Sequence, residues 1–143
     1  MSRDVDDDRA AISALVHRYA ERLDAGDLDG VAAMFAHADW VSGGRVKGHG
    51  ADHARRQYDA VQLGADGTPG TRHLIANLVI DVDPDRTAAA ARSYFVVLQR
   101  TRPILAGRYH DRFARDSSGR WYLTERAFLA DLVGDLGAHY RSG

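Results

Sequence analysis

The chain has 143 residues, no cysteine, 45% hydrophobic residues and a formal net charge of −1. That length suits one domain able to bury about two thirds of its unfolded surface. The near-zero charge and the absence of a Lys/Arg stripe argue against nucleic acid as a main partner, and the lack of cysteine removes disulfides, thiol nucleophiles and thiolate metal sites. No apolar run approaches the roughly 20 residues of a membrane span, and the first residues hold no apolar signal core; a cytoplasmic protein without membrane contact is expected.

In chain order, the acidic opening "DVDDD" reads as a solvated terminus, with residues 1–7 flexible and residues 1–143 forming a single domain. Ile12, Leu15, Val16, Tyr19 and Leu23 recur with the 3.6-residue helical period, which predicts a helix from Asp8 to Ala25 ended by Gly26. Asp27 can cap a second, short helix with Leu28, Val31 and Phe35 on its inner face. "ADWVSGGRVKG" predicts two short strand pieces around a turn, and "GADHARRQYDAVQL" a third helix with Ala54, Tyr58 and Val61 facing inward. The Gly- and Pro-rich "GADGTPG" is a loop that could serve as a lid. Four strands follow: residues 71–83, 87–100, 104–115 and 120–132, joined by "DPDR" and "DSSG" with the turn chemistry of antiparallel hairpins. Helices first and a meander second define an α+β class: a cone-shaped α+β barrel, its N-terminal helices packed into a strongly curved, mainly antiparallel sheet around a pocket.

Within "TRHLIANLVIDVD" the two-residue strand period puts His73, Ile75, Asn77 and Val79 on one side, opposite Leu74, Ala76, Leu78 and Ile80. The all-apolar set reads as the core face. The face that mixes a His–Asn pair with apolar residues reads as a pocket wall, because an unpaired buried polar group is costly. On the first helix, Tyr19 lies at the centre of the apolar stripe and Asp24 at its rim; by periodicity alone, a core aromatic and a helix-end carboxylate are the favoured readings. His49 and His53 have the i, i+4 spacing of a helical zinc pair, but no Glu completes an "HExxH" motif and no metal or other cofactor is expected. His17, His37 and His139 read as surface residues. No serine carries an elbow or triad signature.

The succession "YAERLD", "HADW", "RHLIANLVID" and "GRYHDRFARDSSGRWYLTER" resembles the SnoaL-like branch of the nuclear transport factor 2-like superfamily, in order, spacing and length, from about Ala11 to Leu132. Within it the chain is similar to the group that contains scytalone dehydratase, the bile-acid dehydratases and hexachlorocyclohexane dehydrochlorinase. The resemblance implies a catalytic pair of Asp24 and His73. It also implies substrate contacts from Tyr19, five residues before the Asp, and from Arg126, five residues after Trp121. Trp40, Phe95 and Tyr109 fall on strands that line the pocket in that family, and Asn77 joins them through the strand period. Scytalone dehydratase uses a second pocket His; period two puts His110 on the face opposite Tyr109 and Asp111.

The chemistry expected of such a pocket is a dehydratase-type β-elimination on a small hydrophobic substrate by a cofactor-independent lyase or isomerase. An imidazole titrating near neutrality can take a carbon-bound proton when a carboxylate holds its other nitrogen, and Tyr19, Tyr109 or Arg126 could donate to a developing oxyanion. The same fold also hosts polyketide cyclases and ligand-binding or accessory modules without catalysis. The family further implies a homodimer or homotrimer formed through the open sheet face.

Overall fold

In a computed structural model, residues 3–141 are described. Three helices, α1 (Arg3–Asp24), α2 (Leu28–Ala33) and α3 (Gly50–Gln57), accompany six strands: β1 (Asp39–Ser42), β2 (Arg45–His49), β3 (Thr71–Val82), β4 (Ala88–Gln99), β5 (Arg102–Arg115) and β6 (Trp121–Val133). The strands form a single sheet in the order β2-β1-β6-β5-β4-β3. Every pairing is antiparallel except that of β1 with β6. The class is the expected α+β one, with α1 packed against β3 and β6. The sheet remains open, with β2 and β3 as its two edges, so the cavity is completed by helices rather than by a closed barrel.

The helix α1 begins at Arg3, so residues 3–7, expected to be flexible, are helical, while residues 1 and 2 lie outside the described range. The acidic opening is also only partly solvated. Asp8 is buried and its carboxylate accepts hydrogen bonds from Arg86 Nε at 2.6 Å and from Trp121 Nε1 at 3.0 Å. This ties the helix start to the β3–β4 turn and to β6. The third helix stops at Gln57, short of Val61, but Tyr58 and Val61 are buried as their spacing predicts.

The far end of α1 is closed by Gly26, whose φ of 77° is left-handed. Gly26 N–H donates to Leu23 O and Asp27 N–H to Arg22 O, the paired bonds of a Schellman cap. A Cβ on Gly26 would stand 2.0 Å from the carbonyl oxygen of Gly67, so the "GADGTPG" loop rests directly on the helix end. The loop is braced internally as well: Asp66 Oδ1 accepts from Thr68 N–H and Oγ1, and Gly64 N–H donates to Thr68 O. It leads straight into β3.

The expected faces of β3 change phase halfway along. His73 and Ile75 are partly buried on the inner side, while Leu74 is 50% exposed and Ala76 is open to solvent. Asn77 adopts a left-handed φ of 53°, and between Ala76 and Val79 the register with β4 shifts by one residue. This β-bulge lets two residues oppose one. Beyond it Leu78 and Ile80 point inward and Val79 outward, so Asn77 is exposed and is not part of the pocket wall. The supposed core face, Leu74 to Ile80, is thus divided between the two sides of the sheet.

The inner face of the remaining strands follows the two-residue period. Ala91, Ser93, Phe95 and Val97 of β4 and Tyr109, Asp111 and Phe113 of β5 are buried, whereas His110 is exposed. Gly107 pairs with Phe95 across these strands, and a Cβ there would collide with the Phe95 ring and with Leu129 O. The missing side chain is what allows Phe95 to lie flat over the strand and stack on Tyr109, with ring centroids 4.3 Å apart.

Candidate active site

A cavity of about 320 Å³ lies between α1, the inner sheet face and the segment that follows β6. Its walls include Tyr19 and Leu23 from α1, Trp40 from β1, Tyr58 after α3, His73 from β3, Phe95 and Tyr109 from β4 and β5, Phe128 from β6, and His139 with Tyr140 from the final segment. That volume is at the small end for ligand sites, and apolar walls with a few converging polar groups are their usual composition. A larger cleft of about 670 Å³ follows the β4–β5 turn past Arg100, Thr101 and Arg102. It gathers mainly exposed side chains and none of the residues expected at the site.

His73 and Asp24 form a tightly hydrogen-bonded pair at the cavity wall. Asp24 Oδ1 accepts from His73 Nδ1 at 2.6 Å and from Thr71 Oγ1 at 2.9 Å, and Oδ2 accepts from the His73 backbone N–H at 2.8 Å. His73 lines the cavity and Asp24 stands behind it. A carboxylate in the last turn of a helix faces the negative end of the dipole, an unfavourable place that Asp24 occupies because three donors from the start of β3 converge on it. Burial pushes the Asp24 carboxyl up, but the hydrogen bonds from His73 and Thr71 outweigh it and hold the pKa below the ordinary carboxylate range. In the neutral ring such an acceptor selects the tautomer with the proton on Nδ1 and the lone pair on Nε2.

Three phenols, those of Tyr19, Tyr58 and Tyr109, line the same cavity. Tyr19 Oη and Tyr58 Oη share a hydrogen bond of 2.5 Å. Burial raises the pKa of Tyr19, and it raises those of Tyr58 and Tyr109 well above the usual phenol value, so all three stay protonated donors at neutral pH. Tyr109 also packs edge-on to Tyr19, with centroids 5.8 Å apart. Trp40 stacks on Phe128 at 4.1 Å and meets Tyr58 edge-on at 5.6 Å, forming the apolar side.

Two residues expected as substrate contacts stand elsewhere. Asn77 is outside, for the reason given by the bulge. Arg126 is 2% exposed and does not line the cavity. Its guanidinium makes a two-pronged pair with Asp111, both bonds 2.8 Å, and lies over the rings of Tyr109 at 3.9 Å and Tyr19 at 4.3 Å. It therefore supports the tyrosines from behind, in a cation–π stack. Tyr19, Trp40, Phe95 and Tyr109 do reach the cavity.

His49 and His53 do not act as a pair: His49 Nδ1 bonds Asp39 at 2.8 Å, and the His53 ring fills the space over Gly48 beside Trp40, its Nε2 without a partner among the described residues. Among the described residues no group of three or more His, Cys, Asp or Glu side chains has metal-binding geometry. Two further residues, Tyr58 and His139, reach the cavity without any local sequence signal for it. Tyr58 was assigned to the core, where its ring is, but its hydroxyl meets Tyr19. His139 was read as a surface residue and is 3% exposed inside the cavity wall. Leu136 and Tyr140 flanking it are apolar, a pattern that signals a tail returning to the body of the protein.

Comparison with known proteins places these features in a family. No curated protein gives a significant sequence match. Among solved structures, a protein of unknown function from Mycobacterium tuberculosis is 26% identical, with 87% of this chain and 72% of that chain covered and a TM-score of 0.69. An NTF2-like protein with a cystatin-like fold from Novosphingobium aromaticivorans is 23% identical over 94% of this chain and 88% of that one, with a TM-score of 0.72. A protein from Catenulispora acidiphila, in complex with S-DNPA, is 22% identical over 84% and 92% of the two chains, with a TM-score of 0.64. The model of the SnoaL-like domain matches residues 6–127. The chain therefore belongs to the SnoaL-like domain family, with the NTF2-like, cystatin-like fold.

Proposed function

We propose that the cavity binds a small, uncharged, largely hydrophobic molecule and that the Asp24–His73 pair catalyses a dehydratase-type β-elimination on it without a cofactor. The observation that carries this reading is the orientation of His73: Nδ1 is bound to an ionised Asp24 while the ring borders the cavity, among aromatic and aliphatic side chains and a few hydroxyls. In the proposed step, Nε2 takes the proton on the carbon next to a carbonyl. The C–H electron pair becomes the new C=C bond, the β C–O bond breaks with its pair on oxygen, and the imidazolium returns the proton to that oxygen as water. His73 ends as it began. Asp24 stabilises the imidazolium while it exists, the logic of the Asp–His half of a hydrolase triad.

The Tyr19–Tyr58 pair and Tyr109 supply protonated hydroxyls to the substrate carbonyl as negative charge develops on it. Arg126, locked to Asp111 under the rings of Tyr19 and Tyr109, favours that charge from behind without meeting the substrate. Binding of a small ligand by the Catenulispora acidiphila protein, and the SnoaL-like family itself, support a small-molecule site.

The test is mass spectrometry of wild type, Asp24→Asn and His73→Ala with a panel of β-hydroxy ketones in deuterated water. Loss of water, or deuterium uptake beside the carbonyl, in the wild type and a fall of about 10²–10⁴-fold in both variants is expected. Equal rates in wild type and His73→Ala would refute the assignment. Ligand uptake with neither exchange nor turnover across the panel would instead favour a binding module.

A further inference from the structure

The segment after β6 does not trail away from the fold. Gly134 N–H donates to Ile104 O at 2.8 Å, Gln62 N–H to His139 O at 2.9 Å, and Arg141 N–H to Ala60 O at 2.9 Å, while Val61 and Tyr140 form an isolated β-bridge. Gln99 Nε2 adds a bond to Ala138 O at 3.1 Å. The segment is thus strapped over the cavity by main-chain bonds to residues 60–62 and to Ile104 of β5 and by the Gln99 side chain on β4.

What the strap brings to the cavity is His139. The imidazole lies in the cavity wall with His73, its ring 4.4 Å from that of Tyr140. Its Nδ1 is buried and has no hydrogen-bond partner among the described residues. A buried nitrogen without a partner costs free energy, and the usual resolutions are a ligand or a trapped water. The main-chain bonds on either side hold the residue in place, so the orphaned nitrogen follows from the strap's own geometry. Burial, reinforced by His73 and opposed by Asp24, keeps the His139 pKa below the ordinary imidazole value. At neutral pH such a ring offers one donor and one acceptor and no charge.

We propose that His139 is a second substrate-binding residue of this cavity, whose imidazole hydrogen-bonds a hydroxyl or carbonyl oxygen of an uncharged ligand. The inference rests on the cavity being a ligand site and is independent of the reaction proposed for it. It also narrows the substrate class. Among the cavity-lining residues the polar groups are phenols, imidazoles, Ser42 and Gln57, with no Lys or Arg among them, and Arg126 behind them pairs with Asp111 through Nε and Nη2 and lies under the rings of Tyr19 and Tyr109. Such a wall recognises neutral oxygens rather than a carboxylate or phosphate, whose binding would call for a free Arg or Lys.

The test compares two probes of similar shape, acetophenone and ethylbenzene, by titration against wild type, His139→Phe and His139→Gln. The wild type should prefer acetophenone, and His139→Phe should weaken acetophenone about tenfold, the scale of one hydrogen bond, while leaving ethylbenzene unchanged. His139→Gln, which keeps a donor and an acceptor, should recover part of the preference. In the wild type, acetophenone and not ethylbenzene should move the His139 nitrogen resonances; this readout stands even where a variant fails to fold. Equal loss of both probes in His139→Phe, or unmoved resonances at saturation, overturns the proposal. So does a wild type that binds neither probe at millimolar concentration. Because binding is what is read, a lack of deuterium exchange in the same samples counts against the elimination and not against His139.

Discussion

Replacing Asp24 by Asn isolates the tautomer of His73 from the stability of the fold. The carboxylate accepts three hydrogen bonds, two on Oδ1 and one on Oδ2. An Asn at this place has one acceptor oxygen and one NH₂ group, so it must choose. With the oxygen toward His73 Nδ1, its NH₂ faces the His73 backbone N–H and leaves two buried donors opposed, at roughly 1–3 kcal/mol. With the oxygen toward the backbone N–H, the NH₂ donates to Nδ1 and to Thr71 Oγ1, whose hydroxyl turns to accept, and only the Thr71 O–H proton is left without an acceptor. The second arrangement wins, and it moves the imidazole proton to Nε2, turning a base into a donor. We expect Asp24→Asn to unfold within about 1 kcal/mol of wild type yet to lose up to about 10⁴-fold in turnover, the scale of a reversed tautomer in a hydrolase triad. Nitrogen-detected NMR of the imidazole reads the tautomer directly, and urea unfolding reads the stability. A variant whose Nδ1 still carries the proton, or one that keeps full turnover, refutes the reasoning.

Other perturbations test the frame around the site. Gly26→Ala meets both a left-handed φ and the Gly67 carbonyl, so unfolding free energy should fall by at least about 1 kcal/mol; an unchanged urea midpoint would show that the loop is not seated on the helix end. Asp8 is held below the usual carboxylate range by its hydrogen bond to Arg86, with burial opposing and Trp121 adding. A depressed pKa contributes stability above the unfolded value and loses it as pH falls through the folded one, so wild type should lose stability below about pH 4 more steeply than Asp8→Asn. Parallel curves in acid urea titrations would contradict this. The outer sheet face exposes Leu74, Val79 and Tyr94 by 38–53%. We expect it to join copies of the chain, so that Tyr94→Glu lowers the mass seen by light scattering; identical masses would exclude that face.

The elements that could be read from residue order were those with an unbroken period. The α1 stripe, the alternation of β5 and the turn residues of the hairpins gave the α+β class, and period two correctly set Tyr109 and Asp111 against His110. Asp24 and His73 were paired by resemblance, since the helical wheel left Asp24 at the rim; the bonds that join them come from a loop seated on Gly26, a contact between residues 41 positions apart that no local pattern records. Arg126 was expected in the cavity because Asp111, its buried partner across β5 and β6, is visible only once the strands are in register. His139 escaped notice because its burial comes from bonds to residues 60–62 and not from any periodicity of its own.

Asn77 has one more implication, for how this strand tolerates change in length. It is the extra residue of β3: Ala76 opposes Tyr94 and Val79 opposes Arg92, leaving Asn77 and Leu78 against Ser93 alone. Deleting Asn77 would bring Leu78 opposite Ser93 and leave every other side chain on the face it now occupies, at the cost of the local bend. A deletion at Leu78 would seat Asn77 on the inner face opposite Ser93, and one at Ile75 would force the remaining residues to choose between sliding the bulge and exchanging faces. Position 77 is therefore where a one-residue gap between relatives of this chain would be structurally silent, and where the curvature of the cavity wall could be altered without touching a residue that lines it.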